Sequence, residues 1–508
     1  MMLWSAAPVF AASLLLGQHT LAEFIPKGVS SLQSIALPPS SRLTPLLLDY
    51  FTAASWLGPA CIFAPTSAKQ MAFAVKVLVK TKVPFAVRGG GHMPIGDSNN
   101  INSTGILLSS SGFTQLRLSK DKSTVTVGPA NSWGDVYRYL EPAGVSVVGG
   151  RLGVVGIPGF LLGGGMSFFT NEYGWGSANV KSFELVLADG KVVTATAKNK
   201  YADLFWALRG GGNSFAIITS MELKTVSAPV VTVGTVVYGE GQRDNFLDTI
   251  YHYAIDGSLD KKSAVIPNIF WSGESPETLT YMSYLFYNGN DTRPSALSNF
   301  TSAQMPADLA DFQPRTMGQW ATATEVGWEQ LHGRHSRFWV LSFQANREAM
   351  NIVHDTFFEL IAKYLGDVPG IGATLTFMPI SKSSITANRG GGPASDPMGI
   401  DESQGPFIWV EESLGFVRAE DEDTVTRFYE ALDLEIFARL NHLLVLTPYL
   451  YLNDAGKSQP VFEGYDPANL RRLRTIRHKY DPDRIYTDQM PGGFKVDAAP
   501  KVDAALWS

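Results

Sequence analysis

The segment Val87-Arg88-Gly89-Gly90-Gly91-His92 (VRGGGH) decides the fold prediction for this chain. A β-prone run over residues 83–87 leads into three consecutive glycines, so successive backbone N–H groups can point into one concavity and bind a phosphate or pyrophosphate group. Arg88 can add a charge-assisted contact to such a group. The segment lacks the GK[ST] ending of a Walker A loop and the GxGxxG spacing of a Rossmann fingerprint. Taken alone, a glycine triplet can also be a flexible turn.

Two further glycine-rich segments follow before residue 220. Residues 155–165 (VGIPGFLLGGG) are typical of a loop whose main chain lies flat against a large planar ligand. Residues 203–219 (DLFWALRGGGNSFAIIT) predict a helix, a glycine turn and a buried strand. Each segment alone can reflect tight packing. The three together indicate a ligand site.

The pattern of hydrophobic residues predicts an α+β fold in two parts. Residues 65–224 alternate short strands and helices, among them a helix over Trp133–Leu140. From residue 227 the glycine segments largely stop, and long strand-like runs alternate with amphipathic helices such as Arg347–Tyr364. This second part is expected to form a sheet with helices on one face. A cleft between the two parts is then the default ligand site.

Composition excludes several classes of function. The chain has 508 residues, of which 45% are hydrophobic and 17% charged, which is typical of a globular protein of two or three domains. A net charge of −6 without a Lys/Arg block argues against nucleic acid or an anionic membrane surface as a partner. The single cysteine, Cys61, cannot build a disulfide framework or a metal cluster. The eight histidines show no HExxH spacing, so no metal is expected.

The N-terminal 22 residues are apolar and too short for a membrane span, and Thr20-Leu21-Ala22 offers a cleavage site. We predict a cleaved secretory signal, although no Lys or Arg precedes the apolar run. The alternative is an apolar leader that packs on the domain. Three N-x-S/T sequons, at Asn102, Asn290 and Asn299, are compatible with secretion.

The three glycine-rich segments, in their order and wording, resemble the berberine-bridge-enzyme-like branch of the vanillyl-alcohol-oxidase flavoproteins, particularly the FAD-linked oxidoreductases of fungal secondary metabolism. The phrases that carry the resemblance are RGGGH, LVLADGKVV (185–193), DLFWALRGGG and YDPD (480–483). It is specific over about residues 65–224 and again near the C-terminus, and loose between them. It implies a two-part PCMH-type FAD-binding domain (23–226), a substrate domain with an antiparallel sheet covered by helices (227–446), and a C-terminal segment (447–508) returning to the FAD domain.

The resemblance also implies a cofactor site. His92 takes the position of the residue that is covalently bound to the flavin 8α-methyl carbon, a bond that raises the flavin potential; the alternative is a hydrogen-bonded surface imidazole. A second, cysteinyl bond found in many members falls at Leu152, so a single link is expected. The implied FAD contacts are Arg88, Gly89, Gly90, Gly91, His92, Val155, Gly156, Ile157, Gly159, Gly163, Gly164, Asn179, Gly212, Asn213, Ile217 and Asn453.

Val155 falls where the family places a small gate beside the reactive face of the flavin. Valine there resembles the members that let O₂ reach the reduced ring. We therefore expect an oxidase that produces hydrogen peroxide. The alternative is that Val155 is a core residue.

The catalytic base stays open at this stage. The family often carries a Tyr-x-Asn-Tyr segment over the substrate, and here Tyr451 and Asn453 match it while Asp454 replaces the second tyrosine. Strand periodicity places Glu411 on the same face as Trp409, where burial could tune it as a general base. Tyr451, Tyr449 and Glu411 are the candidates.

The resulting functional hypothesis is oxidation of a small organic molecule, with hydride transfer to flavin N5, O₂ as the acceptor and, in some members, ring formation. Two alternatives belong to other classes. FAD could serve as a scaffold for a non-redox cyclisation, or the chain could be a flavin-binding protein without turnover.

Overall fold

The computed structural model describes residues 48–239, 241–329, 332–388 and 395–497. The expected signal segment, residues 1–22, lies outside the described residues. Across the described ranges, no helix has the length and apolar character needed to cross a membrane. The same ranges contain no group of three or more His, Cys, Asp or Glu side chains that could hold a metal ion.

The first part of the chain folds into two sheets with helices packed on them. Helix α1 begins at its N-cap Ser67, whose side chain accepts the backbone N–H of Gln70, and it buries Met71 and Leu78. Helix α2 begins with a capping box between Ser132 and Asp135. The elements are β1 (Cys61–Phe63), α1 (Ala68–Thr81), β2 (Phe85–Arg88), β3 (Ile106–Ser109), β4 (Leu116–Leu118), β5 (Thr124–Val127), α2 (Trp133–Leu140), β6 (Val145–Val147), α3 (Ile157–Leu162), α4 (Thr170–Tyr173), β7 (Val180–Val186), β8 (Val192–Thr196), α5 (Ala202–Ala207) and β9 (Ile217–Ser227).

Strand order separates the two sheets of this part. Strands β1, β3 and β2 form a parallel sheet with β3 in the centre. Strands β4, β5, β9, β7 and β8 form an antiparallel sheet in that order, and β6 pairs with the far end of β9. The first glycine-rich segment leaves the end of β2, and the third leads into β9. The glycine turn after β2 and the glycine turn before β9 therefore lie at the same edge of the fold.

The second part is one antiparallel sheet of nine strands within the described residues, in the order β13-β10-β12-β11-β16-β17-β15-β18, with β14 beside β10. Alternate residues of β17 face opposite sides: Val410 packs in the core under the helices, and Trp409 packs in the core shared with the first part. The elements are β10 (Val231–Tyr238), α6 (Arg243–Ile255), β11 (Ser263–Ser272), β12 (Leu279–Tyr287), β13 (Ala307–Ala310), β14 (Gln313–Arg315), α7 (Met317–Glu329), β15 (His335–Gln344), α8 (Arg347–Tyr364), β16 (Gly372–Ile380), α9 (Lys382–Asn388), β17 (Phe407–Phe416), α10 (Glu422–Leu440) and β18 (Leu446–Thr447).

Helices α6, α8 and α10 bury their apolar side chains against one face of this sheet. The expected α+β architecture, with an antiparallel sheet covered by helices, is therefore confirmed. The opposite face of the sheet turns towards the first part of the chain. That arrangement leaves a cleft lined by strands on one side and glycine turns on the other.

The tail packs on the first part of the chain. Residues 449–452 lie in the same core as Phe160 and Trp175. Helix α11 (Pro467–Tyr480) follows, and Asp481 then accepts the backbone N–H groups of Ile485 and Tyr486. The tail thereby places the segment that contains Tyr451 at the floor of the cleft.

One segment differs from its predicted conformation. Residues 157–162, expected as a loop, form helix α3. Pro158 suits the first turn of a helix, where its missing N–H costs nothing. Phe160 and Leu161 are buried, and this tertiary packing stabilises a helix that is too short to be stable alone.

Candidate active site

The three glycine-rich segments meet at one cavity of about 880 Å³. It lies between the first part of the chain and the open face of the nine-stranded sheet. The main chain of the glycine segments lines one wall, and side chains from β11, β16 and β17 line the other. Of the predicted cofactor contacts, the cavity is lined by Gly89, Gly90, Gly91, His92, Val155, Gly156, Gly159, Gly212, Asn213, Ile217 and Asn453.

The glycines serve two different purposes. A Cβ atom on Gly90 would lie 2.4 Å from the Cα of Gly156, and one on Gly89 would lie 2.6 Å from Cγ of Pro158. These glycines allow the first two glycine-rich segments to touch backbone to backbone. Gly159 is different, because a Cβ there would meet no protein atom within 4 Å. Its bare backbone faces the open cavity, where a planar ligand can lie against it.

Arg88 lies beside the cavity rather than in its lining. Its guanidinium is buried, forms an ion pair with Asp49 Oδ2 at 2.6 Å and stacks 4.4 Å from the ring centre of Tyr50. Sequence reasoning assigned it a phosphate contact. In the structure, Arg88 ties residues 49–50 to the first glycine-rich segment.

His92 faces the cavity at the end of the first glycine-rich segment. Its ring centre lies 4.5 Å from that of Phe51. Burial disfavours the charged form and lowers the pKa of His92 to about 4. The imidazole is therefore neutral near pH 7 and keeps a nucleophilic nitrogen lone pair. Leu152 also lines the cavity, whereas Cys61, the first residue of β1, is buried in a separate core.

Four predicted contacts support the cavity wall from behind. Ile157 is fully buried in the core. The Asn179 side chain donates hydrogen bonds of 3.0 Å to the carbonyl oxygens of Tyr173 and Trp175. Gly163 leaves room for Asn453, since a Cβ there would lie 2.1 Å from Asn453 Oδ1. The fourth, Gly164, has a φ of +99° that L side chains rarely adopt.

Of the two candidate tyrosines, only Tyr451 lines the cavity. Its hydroxyl oxygen accepts the backbone N–H of Met166 and the side-chain amide of Asn453, both at 2.9 Å. Burial raises the pKa of Tyr451 above its usual value. Tyr449 lies outside the lining, and its hydroxyl donates to Met398 Sδ at 3.4 Å.

Two carboxyl groups meet on the sheet side of the cavity. Glu411, on β17 between β15 and β16, and Asp454, from the tail, both line it. Burial, followed by the charge of Asp454, raises the pKa of Glu411 well above its usual value. Burial raises the pKa of Asp454 to about 6, against the opposing charge of Arg151.

Sequence reasoning named Glu411 and missed its two partners. Asp454 was seen only as the loss of a tyrosine, and Arg151 was not singled out. The signal that could have found Asp454 was its position. It is an acidic residue at the place where the family's Tyr-x-Asn-Tyr segment has its second tyrosine, over the substrate. No local pattern links residues 411 and 454, which meet through the tertiary fold.

The cavity suits a flavin on the evidence of its own lining. Open backbone at Gly159 allows a planar ring system to approach, and Gly212, at a φ of +65°, turns the third glycine-rich segment into the same space. Apolar side chains such as Val155 and Ile217 complete that wall. His92 would hold the ring edge, and the glycine backbone would hold the remainder of the cofactor.

Comparison with known proteins agrees with this fit. A model of the FAD-binding domain matches residues 59–196. The FAD-dependent monooxygenase prx3 of Penicillium roqueforti is 32% identical over 474 residues, which cover 91% of each chain. Two solved structures share the fold: 6-hydroxy-D-nicotine oxidase of Arthrobacter nicotinovorans (TM-score 0.74, 18% identity, 91% of this chain and 97% of that one) and berberine bridge enzyme of Eschscholzia californica (TM-score 0.71, 16% identity, 95% and 100%).

The fold and the site thus define an FAD-binding oxidoreductase. The chain belongs to the family of fungal FAD-dependent oxidoreductases that includes the monooxygenase prx3, and it shares its fold with berberine bridge enzyme.

Proposed function

We propose that the protein is an FAD-dependent oxidase of a small organic molecule, with His92 as its single covalent flavin anchor. The observation that supports this most directly is one continuous cavity lined by His92, Val155 and Glu411. A bound flavin would supply the acceptor for a hydride from the substrate and the route for both electrons to O₂. The substrate loses one hydride and one proton, and O₂ becomes H₂O₂.

The residues of the chain divide the remaining work. The neutral imidazole of His92 supplies the nitrogen for the covalent bond, and Leu152 offers no second nucleophile. The small side chain of Val155 leaves O₂ room at the cavity wall. The Tyr451 hydroxyl accepts hydrogen bonds from Met166 and Asn453 and so fixes their positions. It is a poor base because burial keeps the phenol protonated.

Among the three candidate bases, Glu411 is the one whose geometry fits. It lines the cavity, whereas Tyr449 lies outside it. Apart from the charged groups Arg151 and Asp454, the open face of the sheet around Glu411 carries neutral polar groups, and Thr376 donates to Asn268 Oδ1 at 2.8 Å there. We therefore propose a neutral, hydroxyl-bearing substrate of the secondary-metabolite type, with ring formation in some products.

The test uses the purified holoenzyme and a panel of alcohols that includes benzyl alcohol and cellobiose. Under anaerobic stopped-flow conditions, a substrate should bleach the main visible band of the flavin, and in air it should give one H₂O₂ per product. Product without bleaching would favour a scaffolded cyclisation. Oxygen from ¹⁸O₂ in the product would favour a monooxygenase. An intact flavin and no product across the panel would favour a binding protein.

We also propose passage through the secretory pathway. The three sequon asparagines Asn102, Asn290 and Asn299 all lie at the exposed surface. Expression of the full chain in a eukaryotic host, with a glycosidase-dependent mass shift, would support this proposal.

A further inference from the structure

The outer half of the open sheet face has a floor of two adjacent glycines. Gly372 of β16 pairs with Gly415 of β17, and both line the cavity. Beyond its chain neighbours, a Cβ on Gly372 would come no closer than 3.9 Å to an atom of the described ranges, and one on Gly415 no closer than 3.6 Å. Neither residue has a positive φ. Packing and backbone conformation therefore do not account for these glycines, whereas close approach of a ligand does.

Two phenylalanines, Phe270 of β11 and Phe338 of β15, stand one row further into the cavity. Three strand spacings of about 4.8 Å separate them, so their Cα atoms lie roughly 14 Å apart. The two strands between them carry small side chains in this row, Thr374 and Ser413. The phenyl rings as walls, with Thr374, Ser413 and the two glycines as the floor, form a trough.

The two walls of the trough differ in their support. The Phe338 ring packs edge-on against Phe51 at 5.6 Å between ring centres, and Phe51 in turn packs against His92. Phe338 is thereby fixed beside the flavin anchor. Phe270 is 36% exposed, although it belongs to an inner strand of the sheet. A ligand that covers this ring would remove apolar surface from water and gain affinity.

The trough offers few polar partners to a ligand. Ser413 Oγ already donates to the Thr374 carbonyl at 3.4 Å. Arg334, at the outer end, donates to two main-chain carbonyl oxygens and so braces the floor. Glu274 lines the same end of the cavity, at its exposed rim. A planar, apolar group therefore suits the trough better than a sugar, whose many hydroxyl groups each need a hydrogen-bond partner.

We propose that the trough binds an aryl ring system of the substrate, beyond the carbon that is oxidised. This rests on the proposed oxidase function. Gly372 lies four residues along β16 from Thr376, the neighbour of Glu411, so the glycine floor begins roughly 13 Å from the reacting end at about 3.3 Å per residue. The substrate class is an alcohol with an extended, planar, apolar body. Its hydroxyl lies near Glu411, and its body lies flat on the outer glycines between the two phenyl rings.

Isothermal titration calorimetry of the holoenzyme tests the trough without turnover. Benzamide and biphenyl-4-carboxamide differ by one ring, and neither carries a carbinol C–H bond that can be oxidised. The wild-type protein should bind the biphenyl amide about tenfold more tightly or better, because the trough removes the second ring from water. Equal affinities for the two amides, or tighter binding of cellobiose than of the biphenyl amide, would overturn the proposal.

Two variants locate the second ring in the trough. Gly372→Val fills the floor without meeting protein, so it should keep the wild-type melting temperature and reduce the ratio of the two amide affinities to within about threefold. Phe270→Ala should reduce this ratio as well. The matched control is Phe73→Ala, because Phe73 is also an exposed phenylalanine but lies on α1, away from the cavity lining, and it should keep the wild-type ratio. An unchanged ratio in both trough variants would overturn the proposal.

Steady-state kinetics separates the trough from the oxidase proposal. In the wild-type protein, 4-biphenylmethanol should have a KM about tenfold below that of benzyl alcohol, and Gly372→Val should raise it with little change in kcat, because the trough holds the substrate away from the reacting carbon. A fall in kcat with an unchanged KM would overturn this role. If neither alcohol reduces the wild-type flavin, the oxidase proposal fails, and the amide affinities still decide whether the trough binds an aryl ring.

Discussion

At the scale of single residues, burial decides which side chains of the cavity are charged. It keeps His92 neutral, with a pKa of about 4, and it raises the pKa of both Glu411 and Asp454. The neutral imidazole is the form that can attack an electrophilic carbon. An ionised carboxylate is the form that can accept a proton. Burial therefore sets the protonation of both the imidazole, proposed to bind the flavin, and the carboxyl groups, proposed to accept a proton.

The proposed O₂ gate makes a prediction about Val155. Replacing it with isoleucine adds one methylene group at the cavity wall and should slow reoxidation of the reduced flavin by tenfold or more, while flavin reduction changes little. The matched control is Val154→Ile, because Val154 does not line the cavity. Stopped-flow mixing of reduced enzyme with O₂ measures the rate. Equal reoxidation rates in the wild-type protein and the Val155 variant would show that access of O₂ does not pass this residue.

The carboxyl groups of the cavity predict the pH dependence of flavin reduction. A carboxyl group accepts a proton only while it is ionised, and the negative charge of Asp454, beside the proposed base Glu411, is lost below its pKa of about 6. The rate should therefore be nearly constant above this pH and fall about tenfold for each unit below it. A rate profile measured by anaerobic stopped-flow from pH 5 to 8 checks this. A rate that rises towards pH 5 would contradict it.

At the scale of elements, the site depends on contacts between segments that are distant in sequence. The first two glycine-rich segments touch through Gly90 and Gly156, and the tail reaches under α3, where the Asn453 side chain donates to the Phe160 carbonyl at 3.1 Å. The cavity wall is thus assembled from three parts of the chain. Glycines at these contacts are needed for packing, and Gly159 is needed for ligand access.

Gly163 is needed for packing and Gly159 for ligand access, so alanine at these two positions should have opposite effects. Gly163→Ala places a Cβ against the Asn453 side chain and should destabilise the fold by about 1–3 kcal/mol, as overpacked sites do. Gly159→Ala meets no protein atom, so it should leave the melting temperature unchanged or slightly raised while flavin content falls. Calorimetry and the ratio of flavin to protein absorbance measure both effects. Loss of stability in Gly159→Ala with full flavin content would contradict the assignment.

Local patterns predicted the elements whose signals are local. Apolar periodicity predicted the helices Trp133–Leu140 and Arg347–Tyr364 with the ends that the structure has, and the structure adds a capping box at Ser132 before the first of them. The helix at residues 157–162 escaped prediction because glycine and proline suppress its own propensity and tertiary burial restores it. The contact of Glu411 with Asp454 escaped for a related reason, since sheet register and a tail turn create it together.

At the scale of the whole molecule, one sheet serves two purposes. One face packs under helices as a hydrophobic core, and the other face lines the cavity. Strand β17 shows both in adjacent residues, since Glu411 faces the cavity and Glu412 faces the helix side. The Glu412 carboxyl is fully buried, and neither of its oxygens has a hydrogen-bond partner in the described ranges.

Glu412 predicts how global stability depends on pH. Burial raises the pKa of Glu412 well above its usual value, so the folded state binds this proton more tightly than the unfolded state does. The sign follows by linkage: stability is highest below the unfolded pKa and falls as pH rises towards the folded pKa, by up to about 1.4 kcal/mol per pH unit. Glu412→Gln should remove this loss, so its stability advantage over wild type should grow between pH 5 and 8.

The matched control for this comparison is Glu430→Gln, because Glu430 is exposed on α10. Its denaturation midpoints should follow those of the wild-type protein at every pH. Urea unfolding at several pH values gives the comparison. Parallel stability curves for Glu412→Gln and wild type would show that this carboxyl does not carry the predicted cost.

The central claim, a flavin site anchored by His92, is tested most directly by the intact mass of the purified, denatured protein. The wild-type chain should be heavier than its polypeptide by one FAD, and Cys61→Ala should keep that addition. His92→Ala should show the mass of the polypeptide alone, with any flavin released into the supernatant. A wild-type chain without added mass, or an FAD adduct that persists in His92→Ala, would contradict the account.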